Sequence, residues 1–287
     1  MMHRFQSICA LVILIPANLA AQDVVPETAA RSPRDRVDVE LGARYVDLLS
    51  GSTQAQELPQ PNPDAPSYHL KKDLGVNDGY TFFARARVTL TLDDALSTSI
   101  LWTKLSGEAN LDAPVFYNDR TIPAGPAETT VESVIAELLY HRRLSFKADS
   151  PWRLELYGGM RVYQAVTKIL SHGPGGDKEE FFARGVPTLG AKLSYQPTRR
   201  WNLALDVSGS APGDIFHIAE EPADVRHLTA DLFATYRISR RFRLHAGVHF
   251  SDLNLDFNGT EEDKVTRGHN VLRLRSLEPS LSLSIVF

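Results

Sequence analysis

His249-Phe250-Ser251 sets a histidine and a serine two residues apart, with Glu261, Glu262 and Asp263 a short way beyond. Residues two apart on an extended chain share a face, so imidazole and hydroxyl would stand together. A histidine base beside a serine nucleophile, oriented by an acid, is the triad arrangement of hydrolases. The adjacent acids Asp93-Asp94, and Asp214 with His217, are the other groups whose types invite chemistry. No metal-ligand spacing, phosphate loop or nucleotide fingerprint occurs, so neither metal nor cofactor is expected. A formal net charge of -4 gives no footprint for nucleic acid.

These residues must be positioned by something, and the chain's end shows what. Phe287, Ile285, Leu283 and Leu281 are apolar and share one parity, which Pro279 and Leu277 continue; Ser284, Ser282, Ser280 and Glu278 share the other. Such a strand has one apolar wall and one polar wall, the pattern of a barrel with lipid outside and a polar lumen within.

The beginning agrees. Met1-Met2-His3-Arg4 precedes an apolar run from Ile8 to Ile15 and the small residues Ala17, Ala20 and Ala21. That is the build of a cleaved secretory signal peptide over residues 1–21. The run falls well short of the roughly 20 apolar residues of a spanning helix. Cys9, the one cysteine, lies within it, so the mature chain carries no thiol or disulfide. Residues 22–35 are polar, with Pro26 and Pro33, and form a periplasmic lead-in.

Alternation then recurs throughout residues 36–287. Ten strands are expected near 37–48, 80–92, 96–105, 131–142, 153–165, 186–195, 201–210, 226–237, 242–252 and 271–287, with eight or twelve as alternatives. Short connections follow residues 92, 142, 195 and 237. Long ones cover about 49–79, 106–130, 166–185, 211–225 and 253–270. Short periplasmic turns and longer external loops are the asymmetry of a membrane meander barrel. Tyr195-x3-Arg199-Arg200-Trp201 and Tyr236-x3-Arg240-Arg241-Phe242 repeat one turn template. Tyr140, Trp152, Tyr195, Trp201, Tyr236, Phe242 and Phe287 all fall on the outward parity near turns, where rings sit at headgroup level.

The inward parity carries Arg44, Arg85, Arg87, Glu137, Glu155, Arg161, Asp206, Asp231 and Arg243, charges of both signs. Mixed signs can pair and fill a narrow lumen. An ion-selective pore would show one dominant sign.

From Val37 onward the chain resembles the small outer-membrane barrels of Gram-negative bacteria, the broad class that includes the OmpA transmembrane domain and OmpW. The resemblance implies an all-β antiparallel transmembrane barrel in the cell outer membrane, in contact with its lipids and lipopolysaccharide. It also implies insertion by the barrel assembly machinery, with Leu281, Leu283, Ile285 and Phe287 as the assembly signal. A monomer is expected. It implies no substrate, because this fold carries many functions. The expected role is structural or loop-mediated, with a mostly side-chain-filled lumen; a passive, porin-like channel for small solutes is the alternative. A third reading is enzymatic. His249-x-Ser251 is similar to the His-x-Ser of the outer-membrane lipid A 3-O-deacylases, though Asp252 stands where that family has asparagine. Ten strands also bring the omptin proteases to mind, but Asp93-Asp94 lies in a periplasmic turn, and Asp214 with His217 lacks a second acidic pair.

Overall fold

Val37 and Phe287 bond to each other: the Phe287 amide donates to the Val37 carbonyl at 2.9 Å. The computed structural model describes residues 37–58, 67–117, 120–144, 150–171, 177–210, 223–260 and 267–287. Residues 1–35, Asp214, His217, Glu261, Glu262 and Asp263 lie outside the described residues. The strands are β1 (Val37–Leu58), β2 (Tyr68–His69), β3 (Val76–Thr89), β4 (Asp94–Leu111), β5 (Val115–Tyr117), β6 (Arg120–Ile122), β7 (Gly125–Leu144), β8 (Trp152–Ser171), β9 (Asp177–Tyr195), β10 (Trp201–Ser210), β11 (Ala223–Arg237), β12 (Phe242–Thr260) and β13 (Arg267–Val286). Ten of them run β1-β3-β4-β7-β8-β9-β10-β11-β12-β13 in an antiparallel meander, and β13 pairs back onto β1. The ten-strand expectation therefore holds among the described residues. Closure leaves no ladder edge, which a sheet in hydrocarbon requires.

Parity is as expected through the ten or so residues of each strand nearest the short turns. Leu41, Leu189, Leu232, Leu281 and Phe287 are exposed on the outside, whereas Arg44, Glu137, Glu155 and Arg161 are buried within. About five outward apolar positions per strand make a band that matches the roughly 25 Å apolar belt of such barrels. Its lower edge carries Tyr140, Trp152, Trp201 and Phe242, and Tyr45, Tyr80 and Trp102 stand near its upper edge.

The strands do not stop there, and the expected long loops are correspondingly shorter. β1 reaches Leu58, β4 Leu111, β8 Ser171 and β12 Thr260, while β7 begins at Gly125 and β13 at Arg267. Above the band the two faces exchange character. On β12, inward His249 and Ser251 give way to Leu253 and Leu255, both buried, while outward Phe250 gives way to Asp252, Asn254 and Asp256. On β13, inward Glu278 and Ser276 give way to Leu274 and Leu272, and outward Leu277 to Arg275 and Arg273. On β7, inward Glu137 and Ser133 give way to Val131 and Ala127, and outward Val134 to Glu132. A barrel that rises out of a bilayer meets water on its outside, so the apolar side chains turn inward.

Two inserts complete that upper core. β2 pairs with β1 at Ser52 and Thr53, and the turn after it buries Leu70 and Leu74. Residues 68–74 thus fold onto β1 rather than extending β3. Gly75, at a φ of 70°, reverses the chain so that Val76 N reaches Leu70 O at 2.8 Å. The β5–β6 hairpin buries Val115, Tyr117 and Ile122. Tyr117 and Thr53 share a hydroxyl hydrogen bond of 3.1 Å, and the Phe116 amide donates to Tyr68 Oη at 2.9 Å. Burial pushes the Tyr68 phenol above its ordinary pKa.

Two substitutions separate the regimes. Leu232→Arg, in the outward band, should destabilise the barrel in vesicles by about 2–4 kcal/mol. Glu128→Arg, exposed and outward above the band on β7 and opposite Glu108, should stay within about 0.5 kcal/mol. Urea titration of the refolded proteins reads both, and equal costs would refute the boundary.

Candidate functional site

The inward polar residues form a stack of small networks, each assembled from neighbouring strands. Nearest the short turns, Arg243 on β12 donates to Asp38 Oδ2 on β1 at 3.0 Å. Arg85 on β3 lies 3.7 Å from Glu40, whose other oxygen accepts from Ser282 at 2.5 Å. Arg87 grips Glu155 on β8 with two bonds of 2.8 and 2.6 Å, the fork geometry that makes arginine–carboxylate pairs strong. Deeper, Arg161 Nε donates to Glu137 at 2.9 Å while Ser99 donates to the other oxygen at 2.7 Å. Arg44 lies between two acids, 3.8 Å from Asp231 and 3.6 Å from Glu278. Tyr157 donates to Asp206. Every one of the nine sequence-selected lumen residues faces inward, and each has a partner of opposite charge or a hydrogen-bonding phenol.

Rings fill the space between charges. Phe83 covers Gly42 and Tyr157 covers Gly190, positions where a Cβ would collide with the ring. Arg44 stacks over Phe83 at 4.9 Å and Lys192 over Phe233 at 4.8 Å. Tyr163 and the histidines are what a census of formal charge overlooks. Tyr163 Oη reaches His227 Nδ1 at 3.0 Å and Ser210 at 2.9 Å, and His245 links Thr235 and Ser284 at 2.9 and 3.0 Å. Their signal was present, since all fall on the inward parity.

His249 and Ser251 do share the inward face, but they do not bond to each other. His249 Nδ1 meets Asp231 at 2.7 Å, and Ser251 Oγ meets His227 Nε2 at 3.0 Å. The other nitrogen of His227 is taken by Tyr163, not by an acid. Residues two apart on one strand stand too far apart for the pair the spacing suggested; cross-strand neighbours are nearer. A serine–histidine–acid chain exists elsewhere: Ser97 Oγ to His141 Nε2 at 2.7 Å, and His141 Nδ1 to Glu155 at 2.9 Å. Ser97 is 5% exposed, and its strand is laddered to β3 and β4's other neighbour β7 on both sides of it. The ladder commits the backbone amides around Ser97, which leaves only side-chain donors to meet an oxyanion there.

Between the charged stack and the upper core lies a cavity of about 70 Å³. Arg44, Arg161, His227, Asp231, His249 and Glu278 form part of its wall, and Leu48, Leu105, Leu253 and Leu274 lie on the side of the upper core. Space of this size admits a few waters.

No protein-family model matches the chain, and no curated protein sequence matches it. Solved structures do. The outer membrane protease OmpT from Escherichia coli superposes with a TM-score of 0.50 at 10% identity, covering 91% of this chain and 99% of that one. OprG from Pseudomonas aeruginosa matches over 88% of this chain and 96% of its own, at 10% identity and a TM-score of 0.38. The translocator domain of the autotransporter NalP from Neisseria meningitidis covers 98% of each chain, at 13% identity and 0.41. The chain has the fold of an outer-membrane β-barrel. At these identities the likeness concerns the fold alone, so the role of this barrel must come from its interior and its surfaces.

The Glu137–Arg161 pair offers a direct test of the interior. Glu137→Gln leaves a buried guanidinium without its counter-charge and should cost about 3–5 kcal/mol. Glu137→Leu with Arg161→Met should recover most of that loss. Urea unfolding of the two variants would show it, and equal losses would refute the pairing.

Proposed function

We propose that this outer-membrane barrel is closed to solutes and serves as a rigid support that holds its outer connections above the membrane surface. The observation that carries the reading is two seals in series along one lumen. The charged stack occupies the bilayer half, and the apolar core with the β2 turn and the β5–β6 hairpin occupies the upper half. A solute entering from either end would have to break buried ion pairs or part a packed core.

The rising strands support the same reading. A barrel needed only to span the bilayer has no use for eight to ten further residues on strands such as β8 and β12. Filled with Val131, Ile169, Leu253, Leu255, Leu272 and Leu274, that extension is a stiff collar, and what it displays is the set of outer connections. Insertion of the barrel through recognition of Leu281, Leu283, Ile285 and Phe287 belongs to this proposal. Phe287 remains two-thirds exposed on the lipid side although its backbone is laddered to Val37.

Planar bilayers test the closure. At neutral pH the purified barrel should give no discrete conductance steps. A variant lacking residues 112–124 should remain silent too, because the charged stack still blocks the lumen. Stepwise currents from the unmodified barrel would overturn the reading in favour of a channel.

A further inference from the structure

The short-turn end of the barrel has a charge character that neither the lumen nor the collar uses. The four short connections, residues 90–93, 145–151, 196–200 and 238–241, carry five Lys or Arg against two Asp. The five outer connections, 59–75, 112–124, 172–176, 211–222 and 261–266, carry four against ten acids. The basic residues at the short-turn end come largely as arginine pairs, Arg199-Arg200 and Arg240-Arg241, with Arg153 and Arg237 beside them, all exposed. Among the described residues, the arginines of the two pairs make no ion pair; Arg200 reaches only the Tyr236 hydroxyl, at 3.4 Å.

The two arginine turns are built alike. Thr198 Oγ1 accepts from the Arg200 and Trp201 amides at 3.3 and 3.1 Å, and Ser239 Oγ accepts from the Arg241 and Phe242 amides at 3.2 and 3.1 Å. Each hydroxyl fixes its turn, so the guanidinium pair sits at the tip and the following aromatic returns to the barrel wall. Trp201 packs on Tyr236 with ring centres 4.9 Å apart, and Trp152 on Tyr195 at 4.6 Å. These ring pairs mark the headgroup level. The arginines of the two turns therefore stand at the level of the lipid phosphates, and Arg200, bonded to the outward Tyr236, lies on the lipid-facing side. Guanidinium forks match phosphate oxygens in geometry as well as charge.

We propose that the arginine pairs of the periplasmic turns bind the phosphate groups of anionic phospholipids in the periplasmic leaflet. The proposal goes beyond the closed-support reading and does not depend on it. Lipid phosphate is the occupant favoured over a protein partner because the charge is placed beside the membrane-facing aromatics and distributed on successive hairpins, where a planar headgroup surface meets all of them at once. Attraction of this kind is worth a few-fold per arginine near the surface and fades as salt screens it.

Tryptophan quenching by brominated lipid reads the lipids beside each ring. The mature barrel would be refolded into phosphatidylcholine containing dibrominated phosphatidylglycerol, as one variant keeping only Trp201 (W102F/W152F) and one keeping only Trp102 (W152F/W201F). At Trp201, phosphatidylglycerol should be preferred over phosphatidylcholine by about 3- to 10-fold at low salt and close to equally at high salt. At Trp102, near the other edge of the band, no preference should appear. R199Q/R200Q/R240Q/R241Q in the Trp201 background should abolish the preference, and R199K/R200K/R240K/R241K should keep much of it, which separates charge from turn structure. Equal preference at the two tryptophans, or a preference that survives the glutamine substitutions, would overturn the proposal.

Discussion

Inside a bilayer a peptide N–H or C=O has no water to turn to, and each one left unbonded costs several kcal/mol. The rest of this structure follows from meeting that constraint by closing β13 onto β1. The seam is nearly continuous, from Asp38 opposite Val286 to Leu58 opposite Arg267. It yields at Pro279, which has no N–H to give, where the register passes from Arg44–Ser280 directly to Asp47–Leu277, and again at the irregularity between Leu48 and Ser50. Once the ladder is closed, every side chain must point either out or in. Which residue type suits either direction depends only on what lies there.

What lies there changes along the strand. In the bilayer the dry side is outside, so Leu203, Leu232 and Leu281 face out, and charges such as Glu137 and Arg161 are kept inside where each can find its opposite. Above the bilayer the wet side is outside, so the same parity on the same strand takes the opposite chemistry. Asp252 pairs with Arg275 on the outer surface at 2.7 Å while Leu253 and Leu274 are buried behind them. The upper barrel is in effect a water-soluble barrel continued from a membrane one, with no break in the ladder between them.

That exchange explains which parts of the fold were legible in the sequence. The ten membrane segments were, because each is a run of one parity with one meaning, and the residues selected for the lumen all face it. The collar was not. Leu272 and Leu274 alternate with Arg273 and Arg275 as cleanly as any membrane strand, and Leu253 and Leu255 with Asp252 and Asp256. Their parity is reversed relative to the segments they continue, so read against a single lipid side Leu253 and Leu255 fall into the expected loop of residues 253–270, while Leu272 and Leu274, though inside the expected strand of 271–287, lie on the parity that should be polar. The turns of residues 68–74 and 112–124 were illegible for a different reason: Leu70, Leu74, Tyr117 and Ile122 are buried by contacts with strands distant in sequence, which local pattern does not encode.

The site residues divide along the same line. Sequence spacing placed His249 beside Ser251 because it can see only one strand. The hydrogen bonds of a barrel lumen run between strands, so Ser251 is claimed by His227 and His249 by Asp231. The tyrosines and histidines that join the charged pairs are not counted among the acids and bases, and a balance of the two passes over them. Yet they let the stack be continuous: Tyr163 touches His227 and Ser210, Ser210 touches Thr188, and Ser208 joins Arg161 to Thr229. Buried charges so connected are held by hydroxyls on several strands as well as by their counter-ions. Withdrawing one pair would leave its neighbours without partners too, so the members of the network depend on one another rather than pair by pair.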